Sequence, residues 1–207
     1  GSGTVAVIDP GPDDDAHLAA LLAALDGETV SHILVTHSHA DHSPLAARLK
    51  AATGAATLAY GPVEAPPDTG LRLDASIDHG FVPDQRMAEG DAVTGPGWTL
   101  EALFTPGHMS NHMCFALKEE QALFAGDHVM SWATSVIAPP DGDMGQYFGS
   151  LRKLLDRELG AEVVRDAVES AARDDAHLGG ARRLVVLRDD VRDERRLAGD
   201  VDVVRPG

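Results

Sequence analysis

The chain has 207 residues, 43% hydrophobic and 24% charged, the profile of one globular domain with a sizeable core rather than of a disordered, collagen-like or coiled-coil sequence. Seventeen basic against thirty-three acidic residues leave a net charge of −16, which repels a polyphosphate backbone and argues against a nucleic-acid partner. No apolar run reaches the ~20 residues of a membrane span, no basic-then-apolar leader opens the chain, and Cys114 is the single cysteine, so a cytoplasmic, reducing setting is the expectation.

Val5 to Ile8 predicts a β-strand that ends in the turn Asp9-Pro10-Gly11-Pro12. Ala16 to Leu25 is rich in Ala and Leu and predicts a helix, closed by Asp26-Gly27. Ile33-Leu34-Val35 predicts a second strand. Ser43-Pro44 opens a helix that runs through Lys50 toward the stop signal Gly54, and Thr57 to Tyr60 predicts a third strand. Residues 61–80 read as a loop rich in Pro and Gly. Trp98 to Phe104, Met113 to Leu117 and Ala122 to Ala125 predict antiparallel strands, the last two joined by the Lys118-Glu119-Glu120-Gln121 turn. Tyr147 to Leu159 predicts a helix with Leu151, Leu154, Leu155 and Leu159 on one face. The interleaving of strand and helix signals points to α/β layering.

From Ala161 the composition changes. The last 47 residues hold nine of the fourteen Arg and neither Lys nor an aromatic residue. Val163, Val164, Ala167, Val168 and Ala171 keep a weak helical stripe, and Leu184 to Leu187 predicts a short strand. The division expected is therefore a core over residues 1–160 and an atypical Arg/Asp/Ala-rich segment of the same domain over 161–207. A shift of reading frame in a GC-rich gene near Glu158 to Ala161 is one account of the change, and resequencing tests it.

His37-Ser38-His39-Ala40-Asp41-His42 directly follows the second strand. On an extended segment residues two apart point the same way, so His37, His39 and Asp41 converge while His42 turns in as the helix begins. Three histidines and a carboxylate this close repel one another when protonated. A divalent cation resolves the conflict, because neutral imidazole and carboxylate are good ligands for zinc and similar metals. Two more candidates sit at strand ends behind a small residue, His108 in Thr105-Pro106-Gly107-His108 and Asp127 in Gly126-Asp127. His112 and His128 flank these ligands and are candidates to orient them or touch substrate. His17, His32 and His79 read as surface or helix-end residues, Met109 and Met113 as packing, and Cys114 as a small buried side chain.

These motifs resemble the metallo-β-lactamase superfamily, whose signature His-x-His-x-Asp-His is residues 37–42. Thr105-Pro106-Gly107-His108 and Gly126-Asp127 match the next two motifs in order, and Asp9-Pro10-Gly11 matches an early Asp that supports the site without binding metal. The resemblance covers residues 4–159 and, through Gly126-Asp127-His128 and Tyr147-Phe148-Gly149-Ser150-Leu151, is strongest to the branch near glyoxalase II and the lactamase-like endoribonuclease. It implies a four-layer αββα sandwich in which His37, His39 and His108 hold one metal, Asp41 and His42 a second, and Asp127 bridges both. It also implies one or two zinc ions, with iron or manganese as alternatives. The sequence departs from the family in lacking its opening strand pair, which leaves a sheet edge unpaired and predicts lower stability than a full-length member. It also lacks the last histidine that the branch places near Ala167. His177 is the candidate substitute; without it the second metal position is weak or empty.

The implied chemistry is hydrolysis. A divalent ion lowers the pKa of a bound water from 15.7 toward ~7, supplying hydroxide, while Asp41 as the catalytic residue orients the water and accepts its proton. An ester, thioester, lactam or phosphodiester suits such a centre equally, and a small anionic substrate fits the local positive charge. The first 160 residues carry no basic cluster to grip the carboxylates of glutathione, which weakens the glyoxalase II reading. The alternatives are a mononuclear iron oxygenase of the persulfide type and a degenerate member that binds metal without turnover.

Overall fold

The computed structural model describes residues 3–63, 77–130, 133–157, 184–187 and 201–202. Strands β1 (Thr4–Ile8), β2 (Thr29–Leu34) and β3 (Ala56–Ala59) run parallel, linked by helices α1 (Asp15–Ala24) and α2 (Ala46–Thr53). The two-residue β4 (Gln85–Arg86) adds parallel to β3. A second, antiparallel sheet takes β5 (Ala92–Gly95), β6 (Trp98–Phe104), β7 (Met113–Leu117) and β8 (Ala122–Phe124) in that order. Helix α3 (Met144–Asp156) follows, and β9 (Leu184–Leu187) and β10 (Val201–Asp202) extend the first sheet.

Strand alternation sorts the buried side chains into three layers of contact. Val5, Val7, Ile33 and Val35 face one way and pack against Leu21 and Leu25 from α1 and its end and Leu45 and Leu49 from α2 and its start. Ala6, Ile8 and Leu34 face the other way, onto Trp98, Leu100, Met113 and Phe115 of the second sheet. The outer face of that sheet, through Leu103, Cys114 and Ala116, packs on Leu154 of α3. The result is helices, sheet, sheet, helix, the four-layer αββα order expected. Each fully buried Leu, Ile or Phe contributes about 1.5–3 kcal/mol by leaving water, so the inter-sheet layer holds the two sheets face to face and brings their strand ends to a common edge.

The helices begin and end where local chemistry dictates. Asp14 caps α1 by accepting from the His17 backbone N–H, Asp143 caps α3 in the same way through Gln146, and Gly54 ends α2 in the left-handed region at φ 78°. β2 starts at Thr29 and stops at Leu34, earlier at both ends than the apolar run Ile33–Val35 implies, because Thr29 and Val30 pair in register with Thr4 and Val5. α3 starts three residues before Tyr147, at the Asp143 cap. Its buried stripe is Ser150 and Leu154, whereas Leu155 is 64% exposed: one residue on turns the helix by about 100°, and only the Leu154 side of the apolar arc meets the second sheet.

The expected unpaired edge is not found at β1, because β9 pairs with it antiparallel, Val7 opposite Val186. β9 coincides with the predicted strand Leu184 to Leu187. Leu159, the stripe from Val163 to Ala171, the proposed frame junction and His177 lie outside the described residues. Among the described residues no helix is long and apolar enough to cross a membrane.

Candidate metal centre

The six candidate ligands leave the polypeptide at the ends of three strands. His37, His39, Asp41 and His42 follow β2, His108 follows β6, and Asp127 lies in the short 3-10 turn after β8. Two of these departures require glycine. Gly107 has φ 140°, and a Cβ there would fall 2.3 Å from the Tyr147 Cα. Gly126 has φ 51°, and a Cβ there would fall 2.8 Å from both His112 Nε2 and Thr36 Oγ1. Both contacts are closer than non-bonded atoms tolerate, so the Gly107 turn is packed flush against α3 and the Gly126 turn against the loops carrying Thr36 and His112.

The structure brings all six together. His37, His39, His108 and Asp127 each offer one atom within 4.8 Å of the others, and so do Asp41, His42 and Asp127. Asp127 belongs to both groups. Its Oδ2 lies 3.9 Å from His37 Nε2 and 3.7 Å from His108 Nε2, while its Oδ1 lies 3.3 Å from His42 Nε2. The side chain of His37 is fully buried, those of His108 and His42 are 5% and 12% exposed, that of Asp127 is 20% exposed and that of Asp41 31%. The site therefore opens on its carboxylate side.

Hydrogen bonds at the far ring nitrogens fix which nitrogen faces inward. The Asp9 carboxylate accepts from the Thr36 N–H at 2.7 Å and the Thr36 hydroxyl at 2.8 Å. The Thr36 oxygen, having donated its proton, accepts from His37 Nδ1 at 2.8 Å. Asp9 also accepts from His42 Nδ1 at 3.0 Å, and the Val136 carbonyl accepts from His108 Nδ1 at 2.5 Å. In His37 and His108 the proton is thus held on Nδ1 and the Nε2 lone pair is turned to the centre; His42 is held by its Nδ1–H in the same way, with its Nε2 facing Asp127 Oδ1. His37 Nε2 and His108 Nε2 lie 2.9 and 3.0 Å from the same atom, His39 Nδ1. A single proton on that atom points at one neighbour or is shared poorly between two; a dication at the common vertex engages all three lone pairs at once. The donor set fits a metal.

Asp9 carries this arrangement in an unusual backbone state. Its φ of 51° is left-handed, which Asp tolerates better than most residues. The turn Asp9-Pro10-Gly11 is tied to the ligand loop by Gly11 N–H to the His42 carbonyl at 3.0 Å.

Electrostatics follow from the same packing. Burial, then the neighbouring imidazoles, push His37 and His112 well below the ordinary 6.5. Burial also opposes charge on His42, but the carboxylates of Asp9 and Asp127 overcome it and raise this group to about 10. Burial raises the Cys114 thiol to about 12, consistent with an inert core side chain. The signs give a pH prediction for the metal-free protein. His37 and His112 take up protons more readily when unfolded, so their contribution is full above about pH 6.5 and is lost as pH falls through it. His42 contributes fully below about pH 6.5, and that contribution is lost as pH rises toward 10. The chelated protein should therefore melt highest near neutral pH and lower at both pH 5 and pH 9; a melting temperature that climbs steadily from pH 8 to pH 5 would contradict this.

A family model described as the metallo-beta-lactamase superfamily matches residues 1–167. The chain belongs to this superfamily. It is 34% identical over 155 residues to the lactamase-like protein adaB of Aspergillus niger, covering 72% of this chain and 42% of that one. To the atrochrysone carboxyl ACP thioesterase of Claviceps purpurea it is 32% identical over 135 residues, 62% of this chain and 36% of that one. A solved metallo-beta-lactamase family protein from Thermus thermophilus superposes with a TM-score of 0.61 at 26% identity, over 83% of this chain and 71% of the other. The chain spans about two-fifths of the length of the two curated relatives. These names support the superfamily as a whole and not its glyoxalase II branch in particular.

His112 and His128, expected to orient ligands or touch substrate, are buried behind the site. The Thr105 hydroxyl pairs with His112 Nδ1 at 2.9 Å, and the His112 ring lies 5.0 Å from that of His37. Both ring nitrogens of His128 and Nε2 of His112 lack a hydrogen-bond partner among the described residues. His17 bonds the Pro10 carbonyl at 3.0 Å, His32 packs edge-on to Trp98, and His79 is exposed. The sequence reading missed Thr36 and Val136. Thr36 stands next to His37, a signal available in hindsight; the Val136 contribution is a backbone carbonyl and leaves none.

Proposed function

We propose that this chain is a metal-dependent hydrolase of acyl thioesters, with His37, His39, His108 and Asp127 holding one cation and Asp41, His42 and Asp127 a second. The observation that carries the reading is the convergence of inward-facing ring nitrogens whose protons are held on the opposite side by Asp9, Thr36 and Val136. Zinc is the proposed ion, since an imidazole-rich set completed by carboxylates suits it; iron and manganese accept similar ligands. Within the superfamily the reading moves from the glyoxalase II neighbourhood toward the acyl-carrier thioesterases, on the strength of the Claviceps purpurea relative's name.

When bound, such ions acidify a water and polarise a carbonyl oxygen. The chain's own residues do the rest. Asp41, its side chain 31% exposed, faces the open side, where its carboxylate orients the attacking water and accepts its proton. Asp127 sits between the two groups and fixes their separation. The buried imidazoles form a floor that excludes bulk water and strengthens every charge interaction above it. Asp41, His42 and Asp127 come together as a second ligand group, which favours the two-metal hydrolase over the mononuclear oxygenase.

A panel of chromogenic thioesters, oxygen esters and phosphodiesters, run alongside elemental analysis, tests the reading. The expected result is two equivalents of zinc and thioester turnover at least tenfold above either other class. One equivalent of iron with oxygen consumption would select the oxygenase instead, and metal without turnover on any substrate would select the degenerate binder.

A further inference from the structure

Asn111 takes no part in the chemistry above, yet it is almost fully buried and sits where three loops meet. Its amide nitrogen donates to the Ser38 hydroxyl oxygen at 2.7 Å and to the Gly61 carbonyl at 2.8 Å. The Gly61 oxygen only accepts, so the atom facing it must be the amide NH2, which assigns the orientation of the side chain. Ser38 stands between His37 and His39, Asn111 lies three residues after His108, and Gly61 follows β3. One side chain therefore ties the loop carrying His37, His39, Asp41 and His42 to the loop carrying His108.

The price of this arrangement is on view. Asn111 Oδ1 is buried with no hydrogen-bond partner among the described residues, and an unsatisfied buried acceptor costs about 1–3 kcal/mol. An apolar side chain of similar size would avoid that cost, so packing alone does not account for an amide here. The Ser38 loop is also fixed by its backbone, the Asp78 N–H donating to the Ser38 carbonyl at 2.7 Å; what the Asn111 bond adds is a direct link to the His108 loop. The distance it controls is the one that matters for a shared ion, from His39 Nδ1 to His108 Nε2, 3.0 Å.

We infer that Asn111 is a positioning residue, acting through Ser38 to set the spacing of His37 and His39 against His108. This rests on the metal reading of the site. Partners of this kind typically change metal affinity by 10–100-fold. The test measures zinc affinity by chelator competition and the visible spectrum of the cobalt-loaded protein for wild type, Asn111→Leu, Ser38→Ala and the double variant, together with metal-free melting temperatures. The expected result is zinc binding about 10–100-fold weaker in each single variant, an altered cobalt spectrum, and a double variant no weaker than the weaker single, because both remove the Asn111–Ser38 bond and Asn111→Leu already takes the Gly61 bond with it. Wild-type affinity and spectrum in the variants, whatever their melting temperatures, would reduce Asn111 to a structural role and overturn the inference; so would losses that multiply. Should Asn111→Leu fail to fold, Ser38→Ala reads the same bond alone, weakened binding supporting the inference and unchanged binding refuting it. A wild-type protein that takes up neither ion sinks the metal reading itself, whereas wild-type binding with indifferent variants sinks only this step.

Discussion

Asp127→Ala should empty the Asp41–His42 half of the site, weaken metal binding in the other, and lower turnover by about 10²–10³-fold, the range for losing one preorganised charge-stabilising group. Asp127 is the only described residue common to the two ligand groups, and each of its oxygens faces a different set of imidazoles, Oδ2 toward His37 and His108 and Oδ1 toward His42. Its loss therefore leaves three imidazoles for the first cation, the number a catalytic zinc site keeps, and two ligands for the second, too few to hold it. The metal-free fold should lose the part of the His42 stabilisation that Asp127 supplies beside Asp9. Elemental analysis and steady-state kinetics check both halves of the expectation; a variant that keeps two equivalents of zinc would show that the carboxylate is not shared.

Asp9→Ala should damage stability and metal binding together. The carboxylate is the acceptor for the Thr36 N–H, the Thr36 hydroxyl and His42 Nδ1. Each buried donor left stranded costs about 1–3 kcal/mol, and alanine at φ 51° adds about 1–2 kcal/mol that Asp largely avoids. Several kcal/mol is a large share of the stability of a domain this size. Asp9→Asn separates the two effects. It tolerates the left-handed turn and keeps an oxygen for the Thr36 N–H, but its NH2 faces donors where a carboxylate oxygen accepted two bonds. His42 then loses the partner that holds its proton on Nδ1. The expected outcome is a melting temperature between those of Asp9→Ala and wild type, with zinc binding about 10–100-fold weaker than wild type. Undiminished zinc affinity in Asp9→Asn would show that the tautomer of His42 is not set by Asp9.

What could be read from the sequence follows from how locally each feature is encoded. The ligand run from His37 to His42 is compact and obeys strand geometry, so its convergence is visible as spacing alone. His108 and Asp127 are visible because each follows a strand through a glycine, and the structure shows why glycine is needed there. The layer order is encoded in alternation: Val5 and Val7 face helices while Ala6 and Ile8 face the other sheet. The features that escaped are tertiary. β4 is two residues of polar sequence made a strand only by its pairing with β3, and β5 shows a single buried position, Val93. The Leu155 assignment failed because the second sheet covers only the Leu154 side of the helix's apolar arc. Asn111 and the Val136 carbonyl act on residues 73 and 28 positions away, and neither distance leaves a mark on local pattern.

The central claim is that side chains from three strand ends hold a cation on which turnover depends, and the most direct measurement is thioester hydrolysis before chelation, after exhaustive chelation, and after stepwise return of zinc. Activity that vanishes with the metal and returns in proportion to zinc bound, saturating at two equivalents, is the predicted result. Undiminished hydrolysis by protein shown to contain no metal would contradict it.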